Sequence, residues 1–135
     1  MSRKVRKVMV DMSATLFHYG HVRILRKASK YGKVIVALTK DKEIKKFKGY
    51  FSEMNYLQRK EILESICYVH KVVPSNFMIN DKFLKKHKVG LLVHGNDNKN
   101  KLNKKKILIL KRTSGISSDL LRKKSLNIIK NVKKK

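Results

Sequence analysis

Five short apolar runs, at residues 8–10, 34–38, 72–73, 91–93 and 107–110, alternate with segments of helical periodicity, and this alternation narrows the fold more than any other feature of the chain. VIVAL and ILIL are apolar at every position, the pattern of strands covered on both faces, as in a parallel sheet. Residues 21–31 place Ile24, Leu25, Ala28 and Tyr31 on one stripe and stop at Gly32, a natural helix end. Asn55 with Gln58 has the form of a capping box, opening a helix that buries Ile62, Leu63, Ile66 and Cys67. Asp81 can cap a shorter helix through Phe83 and Leu84, and Ser117 or Ser118 a last one carrying Leu120, Leu121 and Ile128. The order predicts an α/β fold of three layers around a mostly parallel five-stranded sheet, with ligands at the carboxyl ends of the strands. No internal repeat is visible, and the single proline, Pro74, follows the third strand instead of marking a linker.

The chain has 135 residues, the usual size for one core, and 41% of them are hydrophobic, so a folded domain carries its charge. That charge is extreme: 35 Lys+Arg against 9 Asp+Glu, a formal +26. Such an excess suits nucleic acid, a phosphorylated small molecule or an anionic membrane surface. Lysines outnumber arginines 28 to 7 and are spread along the chain, which points to a compositional bias rather than one recognition helix. Two concentrations, at 99–106 and 130–135, read as a solvated loop and tail or as binding arms. Residues 1–125 are expected to form the domain and 126–135 a basic tail. Five Phe and five Tyr form no clustered stacking platform of the kind single-strand binders use. No apolar run approaches the ~20 residues that cross a bilayer, and the N-terminus lacks the long apolar stretch of a signal peptide. A cytoplasmic protein is expected. The single cysteine, Cys67, reads as a buried helix residue rather than a reactive thiol.

Two segments carry chemistry. DMSATLFHYGH, residues 11–21, joins the first strand to the first helix and sets His18 and His21 three apart around Gly20. With Gly20 at the helix start, a phosphate can approach the backbone, where free N–H groups and the helix dipole favour negative charge. The same pair also suits a surface role or two metal ligands, but no third Cys, His or acid lies at an interpretable spacing, so no metal ligand is assigned. RTSGISS, residues 112–118, lies between ILIL and the last helix. Gly115 permits a tight turn, Ser117 and Ser118 offer hydroxyls and N–H groups, and Arg112 can grip phosphate bidentately. Alone, it reads equally as a helix cap.

Together, HYGH after the first strand and RTSGISS after the last resemble the signatures of the cytidylyltransferase family of HxGH nucleotidyltransferases, in particular the glycerol-3-phosphate cytidylyltransferases. YLQRKEILESICYVHKVVPS and LLVHGNDN resemble the family's intervening segments, so the likeness spans residues 7–122. It implies a Rossmann-like fold, a homodimer, CTP as substrate and Mg2+. His18 and His21 would then sit on the triphosphate, and Lys46 or Lys48 would neutralise the same phosphates. Arg59 would contact phosphate from mid-chain, its rival role being an ion pair with Glu61 or Glu64. Arg112, Thr113, Ile116, Ser117 and Ser118 would hold ribose and phosphates. Gly95 and Asp97 would lie near the cytidine, with a turn cap as the rival for Asp97. Met12, Ser13, Ala14, Thr15 and Gly20 complete the implied nucleotide site.

The chain departs from the family pattern in two places. Met12-Ser13-Ala14-Thr15 stands where most members have Gly-Thr-Phe-Asp, and Asn96 precedes Asp97 where the glycerol-phosphate enzymes have two acids. A Met-Ser-Ala start resembles a related branch of cytidylyltransferase domains, some of them found with phosphonate-making enzymes, so a phosphonate or another phosphoalcohol can replace glycerol 3-phosphate. The expected reaction is CMP transfer from CTP with release of pyrophosphate. Adenylyl transfer from ATP and non-catalytic nucleic-acid binding are the competing readings.

Overall fold

A computed structural model describes residues 6–95, 100, 102 and 106–133. Its elements follow the order β1 (Lys7–Met12), α1 (Tyr19–Ser29), β2 (Lys33–Thr39), α2 (Asp41–Lys48), α3 (Tyr56–Glu64), β3 (Val69–Ser75), α4 (Asp81–Lys86), β4 (Leu91–Gly95), β5 (Ile107–Leu110) and α5 (Ser118–Lys133). The strands form one sheet in the order β3-β2-β1-β4-β5, and all four pairings are parallel.

Strand alternation sorts the core into two layers. Val8 and Val10 of β1 meet Leu25 and Ala28 of α1 and Leu63 of α3 on one face. Met9 of the same strand turns to the other face, beside Ile35, Val73, Leu84 and Leu92. β2 is buried along six of its seven residues, as its continuous apolar run requires. The chain winds outward from β1 through β2 to β3 and then returns to the other side of β1 for β4 and β5. β1 and β4 are therefore the neighbours at which the winding reverses, where a crevice opens beyond the carboxyl ends.

Several sequence expectations meet a different structure. ILIL was expected to be covered on both faces, but β5 ends the sheet and Ile109 is half-exposed. Cys67, expected on a buried helix face, is exposed in the turn after α3, because that helix ends at Glu64. Asp81 does not cap α4: Asn80 does, accepting from Phe83 N at 3.0 Å, and Asp81 is the first helical residue. The last helix, expected to carry Leu120, Leu121 and Ile128, is present as α5 and runs to Lys133 without a break, taking in most of the segment 126–135 set apart as a basic tail. The Asn55–Gln58 capping box is present in both directions, at 2.9 and 3.0 Å. Among the described residues, no helix is long and apolar enough to cross a membrane.

Gly32 closes the turn between α1 and β2 under tight steric limits. Lys33 N donates to the Arg6 carbonyl at 2.8 Å, and a Cβ on Gly32 would lie 2.3 Å from that same oxygen. Gly32→Ala is expected to lower stability by about 2 kcal/mol, the usual scale of forced overpacking. Urea denaturation should show a lower midpoint at unchanged slope; an unchanged midpoint would mean that the turn relaxes freely.

Candidate active site

The crevice between β1 and β4 is a cavity of about 260 Å³, and both chemistry-bearing loops reach it. Its first wall is the β1–α1 connection, where Met12, Ser13, Ala14 and Thr15 line it before His18, Gly20 and His21. Arg112, Thr113, Ile116, Ser117 and Ser118 form the opposing wall, Gly95 closes the end of β4, and Lys48 enters from the end of α2. The two loops also touch: Ser118 Oγ donates to the Leu16 carbonyl at 3.2 Å, and Ile116 packs against Gly20.

The histidines are positioned by the start of α1. His18 is its N-cap, and its Nδ1 accepts from Gly20 N at 3.1 Å. His21 reaches back, its Nδ1 accepting from His18 N at 3.1 Å. This is a capping box built from two imidazoles. A ring nitrogen that accepts an N–H carries no proton, so each neutral ring holds its proton on Nε2. The rings lie 3.9 Å apart between centroids, and Phe17 stacks on His21 at 5.3 Å. Gly20 is needed here because the His18 ring folds over it: a Cβ would meet Cε1 at 2.8 Å. Its N–H, expected to be open to a phosphate, is engaged by His18.

Burial and neighbouring positive charge keep both rings neutral. Desolvation is the main cause that lowers His21 to about 3, followed by His18, Arg112 and Lys48. His18 is lowered by desolvation and then by Arg112. For His21 the ordinary value of 6.5 applies to the unfolded chain, so the unfolded state takes up the proton first. The resulting stability is present above pH 6.5 and is lost as pH falls towards 3. His21→Asn is therefore expected to flatten the loss of urea stability between pH 6.5 and 4 relative to the unsubstituted protein; parallel curves would contradict the depressed value.

Two expected phosphate contacts lie elsewhere. The Lys46 ammonium sits 5.4 Å from the Phe47 ring centroid and does not line the cavity, so of the two lysines Lys48 reaches it. Arg59 is 1% exposed and forms neither a cavity wall nor an ion pair with Glu61 or Glu64. Its guanidinium donates to the Ser13 carbonyl at 2.7 Å, the Met54 carbonyl at 3.2 Å and Asp41 Oδ1 at 2.6 Å. Arg59 thus supports the cavity wall from behind. Asp41 completes the tie by accepting from Tyr56 N at 3.0 Å. Thr39 Oγ1 adds a bond to the Met12 carbonyl at 3.2 Å. Asp97 lies outside the described residues.

Other cavity residues escaped the sequence reading. Arg23, Ile24 and Lys27 follow Gly20 at three, four and seven residues, a spacing that puts them on its helix face and could have found them. Phe77 arrives on the β3–α4 loop without a local sequence signal. Asp11, at the end of β1, pairs with His94 Nδ1 across the β1–β4 junction, and Asn100 approaches its second oxygen at 3.4 Å. Thr15 accepts from Arg122 at 2.9 Å, and Arg122 also grips both carboxylate oxygens of Glu53, which holds Glu53 below the usual carboxylate range.

Removing the Arg59 side chain empties its buried site and strips the Ser13 and Met54 carbonyls of their donor, at a cost of about 3 kcal/mol. Arg59→Ala is expected to lower the urea midpoint on that scale, with nucleotide binding weakened as the Ser13 wall loosens. A fully stable variant with altered binding alone would return Arg59 to direct phosphate contact.

Residues 13–129 match the family model described as cytidylyltransferase-like. Glycerol-3-phosphate cytidylyltransferase of Staphylococcus aureus is 36% identical over 122 residues, covering 84% of this chain and 90% of that protein. Glycerol-3-phosphate cytidylyltransferase of Bacillus spizizenii is 32% identical over 124 residues, covering 88% and 96%. Among solved structures, the lipopolysaccharide core biosynthesis protein of Thermoplasma volcanium superposes with a TM-score of 0.69 at 16% identity, over 82% of this chain and 100% of that one. That likeness shows a shared fold.

Proposed function

The chain belongs to the cytidylyltransferase-like family, and on that premise we propose how its cavity carries out the family's chemistry: transfer of CMP from CTP to a small phosphoalcohol, glycerol 3-phosphate foremost. The observation that carries the reading is the pair of neutral, Nε2-protonated imidazoles beside Arg112 and Lys48 in one cavity. A phosphate monoester is already anionic near neutral pH, so its oxygen can attack the α-phosphorus of CTP without a protein nucleophile. The new P–O bond forms as the bond to the β-phosphate breaks, and its electron pair leaves with pyrophosphate. The protein's task is to align two anions and stabilise the charge that develops on the leaving group.

His18 and His21 serve that task as fixed N–H donors towards the β- and γ-phosphates. Lys48 and Arg112 neutralise the same groups, and Ser117 and Ser118 hold the nucleotide from the opposing wall. Among the described residues, no group of three His, Cys, Asp or Glu side chains could hold a metal, and Asp11 is engaged by His94 and Asn100. These residues do not fit a resident Mg2+ site. Mg2+ enters as part of the substrate, on the phosphates of CTP. We further propose that the enzyme works in the cytoplasm as a homodimer, a state that light scattering measures directly.

Pyrophosphate release tests the reading, with CTP or ATP offered against glycerol 3-phosphate, phosphoethanolamine, phosphocholine and hydroxyethylphosphonate. Turnover is expected with CTP and glycerol 3-phosphate. His21→Ala should lower kcat by about two to three orders of magnitude, the scale of losing one positioned donor, while keeping the fold. An active His21→Ala enzyme would remove the imidazole from the chemistry, and turnover with ATP alone would change the nucleotide.

A further inference from the structure

Helix α5 is tied down at its start and, among the described residues, unpartnered beyond it. Ser118 and Arg122 bond to Leu16, Thr15 and Glu53. From residue 123 to residue 132, every position is exposed. Four of these are large aliphatic residues: Leu126 is 51% exposed, Ile128 57%, Ile129 52% and Val132 65%. Leu121, Ser125, Ile128 and Val132 recur at three- and four-residue spacing, so they share one stripe, which Ile129 widens. Lys123 and Lys130 lie on the side away from that stripe and Lys124 on its flank, and no acid follows Asp119 in the helix. A run of exposed aliphatics on one helix face marks an interaction surface rather than scattered surface residues.

Charge decides what covers it. A second copy of the helix would bring the same three lysines together, with no acid after Asp119 in either helix to pair them. A nucleic acid backbone would accept the lysines but leave the aliphatic stripe in water. An anionic lipid surface satisfies both at once, because the stripe enters the boundary of the acyl chains while the lysines stay among negative headgroups. We propose that α5 docks in the plane of an anionic membrane surface. Because Ser118 at its start lines the cavity, docking holds the cavity close to the surface, and the chemistry is untouched.

Flotation of the full chain with vesicles tests this, using phosphatidylcholine alone or equal parts phosphatidylcholine and phosphatidylglycerol. The protein should float with the anionic vesicles and stay in solution with the neutral ones. Ile128→Asn with Val132→Asn, and separately Lys123→Gln with Lys124→Gln and Lys130→Gln, should each weaken that partition by at least about tenfold. CMP transfer measured without vesicles, and the far-ultraviolet circular dichroism, should stay as in the parent. Equal partition to both vesicles overturns the proposal, as does undiminished partition of the Asn variant, which would reduce the contact to charge alone. A self-associated parent that the Asn variant turns into monomers, with no vesicle binding, assigns the stripe to a second copy. Duplex DNA binding that survives in the Asn variant, again without vesicle binding, assigns the lysines to nucleic acid.

Discussion

Two backbone N–H groups directed into imidazole rings organise the cavity. The first turn of any helix leaves N–H groups without intrahelical partners, and a short polar side chain normally takes one of them. Here His18 and His21 do so reciprocally, and one set of bonds has three effects. It starts α1, it sets the orientation of both rings, and it decides which nitrogen carries the proton. The arrangement is self-consistent only with unprotonated Nδ1 atoms, and the surrounding burial and positive charge favour that neutral state. Placing α1 and fixing the donors are thus the same event.

The loops around those rings depend on a small supply of acids. Among the described residues, six acids hold definite partners: Asp11 with His94, Asp41 with Arg59, Glu43 with Phe77 N, Glu53 with Arg122, Asp81 with Lys106, and Asp119 with Arg122. The first four of these ties reach segments that bear on the cavity. In so cationic a chain, carboxylates stand where a backbone turn or a buried guanidinium needs one. The buried Arg59 illustrates the energetics, since its charge is tolerable only because Asp41 and two carbonyls surround it.

Much of this was legible in the sequence, for identifiable reasons. VIVAL announces the buried β2 because its apolar character is continuous, and Asn55 with Gln58 announces α3 because the cap is local. α2 was not foreseen: Ile44 is its one buried residue, so no apolar stripe marks it, although Gly49 in left-handed conformation supplies the stop. HYGH and RTSGISS placed their residues on one cavity because strand ends converge in a parallel sheet. Arg59 misled for the opposite reason. A cation near a phosphate motif looks the same in sequence whether it faces the ligand or the back of the wall, and only Asp41, eighteen residues away, separates the two.

The two rims of the sheet differ in how they resist further growth. Pro74, expected to follow the third strand, instead sits within β3, where a missing N–H is harmless because no strand among the described residues lies outside it. β5 has no such block, being four apolar residues with one flank of its hydrogen-bonding groups unused by the sheet. Lys111 follows it directly, however, and two molecules aligned in parallel there would bring its ammonium groups side by side. Part of the lysine excess thus acts as a guard against fibrous stacking, one whose strength fades as salt concentration rises.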